Sequence, residues 1–487
     1  MIRLQIKNLM FRLTLIILVI ALTNNIRANS ERPNVILIMC DDLGWGDVGF
    51  NGNKIIKTPN LDSMANSGIK FDQFYAAAPV CSPTRGSVLT GRHPFRYGIY
   101  YANTGHMKKK EFTLAEIMKT KGYRTGHFGK WHLGTLTTKI KDANRGGPKG
   151  AKHYSSPQQN GFDICFSTES KVPTWDPMLV PKKFSGGSSR RKWWDPLNES
   201  KNADHYGTHY WDQNGKVVTE NLRGSNSRVI MDRAIPFMKN SLKSKSPFFT
   251  VIWFHTPHLP VIAGPKYTKM YQSHSKYQQH YFGCITAMDE QIGRLRKALK
   301  EANAHRNTMI WFCSDNGPEG NDSAPGKTGG FRGRKRSLYE GGIRVPALLE
   351  WPERVQTKST IKCPAGTIDY LPTILSALNI KFPDSRPVDG IDLNPIITNK
   401  VKVRGKPMGF QSNSVASFIT DRYKIIVKNK NKNVEMYDLI KDPFEKINIA
   451  NTMADKASKL KSELSEWIES CSNSDNGKDY QKSQSKN

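Results

Sequence analysis

Acidic residues are the scarce class in this chain: 42 Asp and Glu stand against 73 Lys and Arg, a formal charge of +31 over 487 residues. That imbalance suits polyanionic partners such as nucleic acid, acidic membrane or sulfated polysaccharide, without choosing among them. Cysteine is sparse as well, with seven residues at 40, 81, 165, 284, 313, 363 and 471 and no Cys-x-x-Cys pair, which argues against a zinc ribbon or thioredoxin-type site. With 38 Gly, 27 Pro, 37% apolar and 24% charged residues, a collagen-like, coiled-coil or wholly disordered chain is excluded and a globular one is expected. No internal repeat is present, and only one hydrophobic run stands out by length.

That run, residues 13–22, follows Arg3, Lys7 and Arg12 and has the length of a signal-peptide core rather than of a membrane span. Residues 1–28 read as a leader cut after Ala28, although Ile26 is large for the position two before the cut. Removal takes four cations and no acid, so +31 becomes +27. Export is therefore expected, to the periplasm or medium in a bacterium or to lysosome or medium in an animal, with no stable membrane anchor. An odd cysteine count in an exported chain leaves at least one sulfur without an internal partner.

The apolar run at 34–40 ends on Asp41-Asp42, the run at 308–313 closes on Asp315-Asn316-Gly317, and the run at 248–254 stops at His255-Thr-Pro-His258. Each reads as a buried central strand delivering polar groups at its carboxyl end, where open α/β sheets keep their sites. Helical stretches are expected at 60–67, at 113–121 with Thr113 and Glu116 as a capping box, and at 277–301. The fold class is thus α/β over residues 29–403. A smaller α+β unit follows at 404–471, with strands at 414–420, 423–428 and 434–439 and a helix at 454–471, and 472–487 form a disordered tail. Residues 139–213 read as a loop-rich insertion.

The sharpest motif is Pro79-Val-Cys81-Ser-Pro83-Thr-Arg85-Gly-Ser-Val-Leu-Thr-Gly91, which resembles the sulfatase signature. Gly122 to Gly134, containing Gly129-Lys130-Trp-His132, resembles the family's second signature, with Phe128 bulkier than the pattern asks. Lys335, five residues before Glu340-Gly-Gly-Ile-Arg344-Val-Pro346, resembles the family's second sulfate-binding lysine; Arg332, Arg334 and Arg336 make a solvated basic loop the competing reading, and Lys327 a weaker substitute. The resemblance runs from Arg32 to about Pro346 and, more loosely, through 436–445. It implies a formylglycine-dependent sulfatase with an alkaline-phosphatase-like core, a large mixed sheet flanked by helices and a small C-terminal α+β subdomain.

The resemblance also implies roles. Cys81 is oxidised by a formylglycine-generating or equivalent maturase, because the hydrated aldehyde attacks with one hydroxyl and expels sulfate with the other, whereas a serine or thiol would be left as a stable ester. Asp41, Asp42, Asp315 and Asn316 offer only oxygen, which suits one Ca²⁺ or Mg²⁺ rather than zinc, and the modified residue 81 completes the Ca²⁺ ligands. Arg85 balances charge, Lys130 and Lys335 bind sulfate, His132 takes a proton and His258 protonates the leaving alcohol; His255 is a substrate contact, a supporting residue or only a strand end. The rival activity is a phosphonate monoester or phosphodiester hydrolase of the same superfamily, and the non-enzymatic rival is a polyanion-binding protein. Nucleic acid is not expected as a partner, since export removes it and no nucleic-acid module is visible. In the insertion, Trp175, Trp193, Trp194, Tyr206, Tyr210 and Trp211 beside Arg190, Arg191, Lys192, His205 and His209 read as a surface for a sulfated carbohydrate, or as aromatics that anchor the loop.

Overall fold

The computed structural model describes residues 32–183, 194–195, 204–428 and 433–480. The expected leader 1–28 and the basic and aromatic cluster Arg190, Arg191, Lys192 and Trp193 lie outside the described residues, as does the side chain of Trp194. Among the described residues, no helix is long and apolar enough to cross a membrane.

Ten strands form one mixed sheet: β1 (Asn34–Cys40), β2 (Ile69–Phe71), β3 (Arg124–Lys130), β4 (Ile164–Thr168), β5 (Tyr210–Asp212), β6 (Val217–Val218), β7 (Phe248–Trp253), β8 (Thr308–Ser314), β9 (Ala347–Glu350) and β10 (Ser359–Ile361). Their order is β10-β2-β9-β8-β1-β7-β3-β4-β5-β6, and the five central strands β8, β1, β7, β3 and β4 are parallel. The pleat sends Val35, Leu37 and Met39 to one face and Ile36, Ile38 and Cys40 to the other, so both sides of β1 need cover. One face is covered by α2 (Cys81–Thr90), α3 (Leu114–Thr120) and α6 (Tyr370–Ala377). The other is covered by α1 (Pro59–Ser67), α4 (Asn226–Lys243) and α5 (Lys276–Glu301). Thr113 caps α3 in a reciprocal capping box with Glu116, as the sequence pattern predicts.

Most of these elements carried no sequence expectation, and three of them show why. Strand β3, Arg-Thr-Gly-His-Phe-Gly-Lys, has no apolar run, yet it is buried from Thr125 onward between β7 and β4. Helix α4 holds Pro236 in its interior, a residue that ordinarily ends a helix. Helix α6 carries apolar residues almost throughout and lies in the core.

A second sheet, β11 (Met408–Ser412), β12 (Val415–Ile419), β13 (Tyr423–Lys428) and β14 (Asn433–Asp438), is antiparallel in chain order. Phe418, Ile425, Val427 and Met436 face Leu460 and Leu464 of α7 (Ala454–Asp475), while Phe410, Ile419, Ile426 and Tyr437 face Tyr75, Ile343 and Ile368 of the main body. Lys424 of β13 is fully buried, donating to Glu340 Oε1 at 3.0 Å and pairing with Glu445 Oε1 at 2.9 Å. The other Glu445 oxygen accepts the Glu340 N–H at 2.7 Å. The C-terminal sheet thereby grips the turn that follows Lys335.

Residues 472–480 are ordered, against the tail expected at 472–487, whose last part, 481–487, lies outside the described residues. α7 runs on to Asp475 because Cys471 and Ser474 are buried, Asp479 pairs with the buried Arg92 at 2.6 Å, and Tyr480 donates to Glu111. All seven cysteines are buried and unpaired, so no disulfide staples this fold.

Candidate active site

Register brings the site together. Met39 lies beside Trp253, Cys40 beside Ser314 and Lys130 beside Thr168, so the parallel strands finish level. The residues that follow, Asp41-Asp42 and Asp315-Asn316, emerge side by side, and the Asp315 N–H donates to the Cys40 carbonyl at 3.1 Å. Asp42 takes a left-handed φ of 68°, and its N–H donates to Asp315 Oδ1 at 3.1 Å. Helix α2 begins at Cys81, so residue 81 sits at the positive end of the helix dipole. Arg85, one turn later on the same face, is fully buried and reaches Asp315 Oδ2 at 2.6 Å and the Lys130 carbonyl at 3.1 Å.

Three cations meet three carboxylates there. Lys130 Nζ lies 2.6 Å from Asp41 Oδ2, Lys335 Nζ lies 2.6 Å from Asp42 Oδ1, and Arg85 holds Asp315. Burial opposes ionisation of Asp41, yet Lys130, His258 and Arg85 hold its carboxyl well below the usual range. Burial, with Asp41 as neighbour, pushes the Asp315 carboxyl up. Asn316 donates to Asp42 Oδ1 at 2.7 Å. Its own Oδ1, and Asp41 Oδ1, are buried without a hydrogen-bond partner. Two orphaned oxygens beside crowded carboxylates are what a hard cation would satisfy, and single ligand atoms of Asp41, Cys81 and Asp315 lie within 4.8 Å of one another. The oxygen donors fit a hard cation such as Ca²⁺ or Mg²⁺.

Above this cluster opens a cavity of about 900 Å³, lined by Cys81, Lys130, His132, His258 and Lys335 among others. Burial pushes the Cys81 thiol up despite Lys130 and Lys335, so an unmodified cysteine here is a neutral thiol at pH 7. His258 Nδ1 donates to the Leu259 carbonyl at 2.7 Å, which leaves Nε2 to face the cavity side, 3.6 Å from Asp42 Oδ2. Burial, opposed by Asp41 and Asp42, pushes this imidazole down to about 4. His255 is different: it is buried, with one nitrogen bonded to Thr168 Oγ1 at 2.8 Å and the other to Asn226 Oδ1 at 3.0 Å. It supports the strand ends and does not line the cavity. Lys327 is likewise away from the cavity, with its N–H on Asp47 at 2.8 Å.

Several cavity residues escape the motifs. Asn103 Oδ1 bonds His132 Nε2 at 2.8 Å and accepts from Asn144 Nδ2 at 3.0 Å. The shared oxygen is an acceptor, so Nε2 carries the imidazole proton and Nδ1 keeps its lone pair. Glu319 pairs with Lys335 at 3.4 Å and with Arg336 at 2.6 Å. From the insertion, Asn144, Ser170, Lys171 and Tyr206 reach the wall. Three of the expected aromatics serve packing: Tyr210 and Trp211 are buried, and Trp175 covers Gly264, where a Cβ would meet its ring at 2.1 Å. The expected aromatic surface is therefore reduced to Tyr206 among the described residues.

Comparison with known proteins agrees with this geometry. The sulfatase family model matches residues 33–380, and a model of the N-sulphoglucosamine sulphohydrolase C-terminal region matches 330–473. Arylsulfatase G of Rattus norvegicus is 30% identical over 414 residues, 80% of this chain and 73% of that protein. N-acetylgalactosamine-6-sulfatase of Mus musculus is 29% identical over 413 residues, 81% of this chain and 72% of that protein. The solved structure of Ps i-CgsB in complex with k-i-k-neocarrahexaose superposes with a TM-score of 0.75 at 27% identity, covering 90% of this chain and 92% of that one. The chain belongs to the sulfatase family: it is a type I sulfatase of the alkaline-phosphatase-like superfamily, a sulfuric ester hydrolase.

Proposed function

We propose that this sulfatase is exported, binds one calcium ion, uses residue 81 as formylglycine and acts on a sulfated polysaccharide or oligosaccharide. The observation that carries the reading is Cys81 at the start of α2, set between the Lys130 and Lys335 walls of the cavity and over a carboxylate cluster with two orphaned oxygens. A glycan substrate is supported by the relatives, one an N-acetylgalactosamine-6-sulfatase and one solved with a bound neocarrahexaose. Export is supported by the basic residues and short apolar run of the leader pattern.

Asp41, Asp42, Asp315, Asn316 and residue 81 would hold the ion, whose charge favours an ionised nucleophile and polarises sulfate oxygens. A hydrated formylglycine supplies one hydroxyl for attack on sulfur and a second through which sulfate departs. Arg85 lies 2.6 Å from Asp315 and 3.7 Å from Asp41 and offsets their mutual repulsion, and Lys130 and Lys335 turn from their carboxylates to the sulfate oxygens, where charge builds. His258, fixed by its Nδ1–H on Leu259, gives a proton from Nε2 to the leaving alcohol oxygen; the bound anion raises its affinity for that proton. His132 receives a proton at Nδ1, because Asn103 occupies Nε2.

Peptide mass spectrometry of active protein is expected to show an aldehyde or its hydrate at residue 81, and metal-stripped protein to recover turnover with Ca²⁺ better than with Zn²⁺. Full activity with a free thiol at 81, or after exhaustive metal removal, rejects the mechanism. An aryl sulfate is expected to turn over faster than an aryl phosphodiester; the reverse favours the phosphodiesterase reading.

A further inference from the structure

A second cavity, of about 710 Å³, lies along residues 141–153 and shares Asn103 and Asn144 with the site cavity. Each volume alone falls in the range that receives a ligand of several rings. The lining of the second contains no Asp or Glu and includes Lys141, Arg145, Lys149, Lys152 and His153. Lys141, Lys149 and Lys152 are exposed, and none has a carboxylate within ion-pair distance among the described residues.

The loop that carries them is built rather than slack. Asp142 is fully buried beneath it, accepting the Trp211 indole N–H at 2.8 Å and the His209 N–H at 2.8 Å. Arg145 is pinned by Glu169 at 2.8 Å and the Gly105 carbonyl at 2.6 Å. Between these anchors the backbone winds tightly: Gly147 has a φ of 95°, and a Cβ at Gly150 would lie 1.6 Å from the Arg145 carbonyl oxygen. Arg145 is neutralised by Glu169, which leaves three unpaired ammonium groups on a fixed edge that continues from the site.

We propose that this groove is a distal subsite for the sulfate or carboxylate groups on sugars flanking the one being desulfated, so that the preferred substrate is an oligosaccharide bearing two or more anionic groups. The inference rests on the glycan reading above. Sulfates spaced along a polymer present charge at repeating intervals, and the shared Asn103–Asn144 edge lets one strand lie in both cavities. A singly sulfated sugar would fill only the first.

Binding separates this from turnover. Two tetrasaccharides of one sulfated galactan backbone, one with a single sulfate and one with three, are titrated calorimetrically into the full chain carrying Cys81→Ala. The trisulfated one is expected to bind about tenfold more tightly, because its two further sulfates meet the three exposed ammonium groups. Adding Lys141→Ala, Lys149→Ala and Lys152→Ala is expected to remove that preference with the thermal unfolding temperature unchanged, and Lys→Arg at the same positions to keep it. Equal affinity for the two sugars, no binding of either, or a preference that survives the triple alanine substitution overturns the subsite. A wild type that binds the trisulfated sugar with this preference yet desulfates no glycan supports the groove and rejects the glycan hydrolase reading.

Discussion

Asn103 is the side chain whose role depends most on its neighbours. It stands in a turn with a φ of 64°, ties His132 to Asn144, and so selects which imidazole nitrogen can accept a proton. Asn103→Leu is expected to lower kcat by about 10- to 100-fold with KM within about twofold, part of what a positioned base contributes, while Asn103→Asp, which keeps an acceptor, retains most of the rate. Steady-state kinetics on an aryl sulfate decides; a change confined to KM would assign Asn103 to substrate contact. Nothing in Tyr-Ala-Asn-Thr-Gly announces this role, because a turn asparagine looks alike whether it serves the backbone or a catalytic group. Cys81, Arg85, Lys130 and Lys335 stand in long motifs and His258 just past an apolar run, and the structure gathers all five at the carboxyl ends of the central strands. For Tyr210 and Trp211 the sequence left sugar surface and loop anchor both open, because composition cannot tell which face of a loop is covered, and their burial makes them anchors.

Strands show the same division. β1, β7 and β8 are largely apolar and buried throughout, a pattern that a doubly covered strand explains, whereas β3 hides behind Gly126, His127 and Gly129. His127 is tolerated because it bonds Ser167 at 2.7 Å, and a Cβ at Gly129 would meet the Trp253 carbonyl oxygen at 1.9 Å. Away from the site, β9 and α5 are joined by Glu350, which accepts from Arg296 at 2.6 and 2.8 Å and from Ser67 at 2.7 Å. Burial opposes its charge, but His305, 3.4 Å away, and the hydrogen bonds of Arg296 prevail and bring its pKa from 4.5 down to about 2. A depressed carboxylate stabilises the fold fully above its unfolded pKa and loses that contribution as pH falls through the folded one, here between 4.5 and about 2. The amount is on the order of 3 kcal/mol. Urea unfolding across that window should therefore show a steep loss in the wild type and a shallower one in Glu350→Gln; equal slopes would refute the assignment.

The molecule as a whole carries +31, and its field extends beyond any one contact. Raising salt from about 0.05 to 0.5 M shortens the screening length severalfold, so kcat/KM on a polysulfated glycan should fall by about tenfold while kcat holds; an aryl monosulfate should lose much less. Equal losses on both substrates would show that steering is not at work. The charge sign was legible from composition, but that residues 141–153 line a cavity continuing from the site was not, since that depends on how Asp142 and Arg145 fold the loop. The grip of Lys424 on Glu340 also orders events in time. A ribosome delivers Glu340 long before Lys424 and Glu445, so the turn behind Lys335 waits for its counter-charge until the last strands emerge. At about 5–20 residues per second, roughly 20 to 70 s separate the synthesis of residue 81 from that of residue 424. During that interval the Lys335 wall of the cavity is unfinished, and the segment bearing Cys81 has not yet been covered by it.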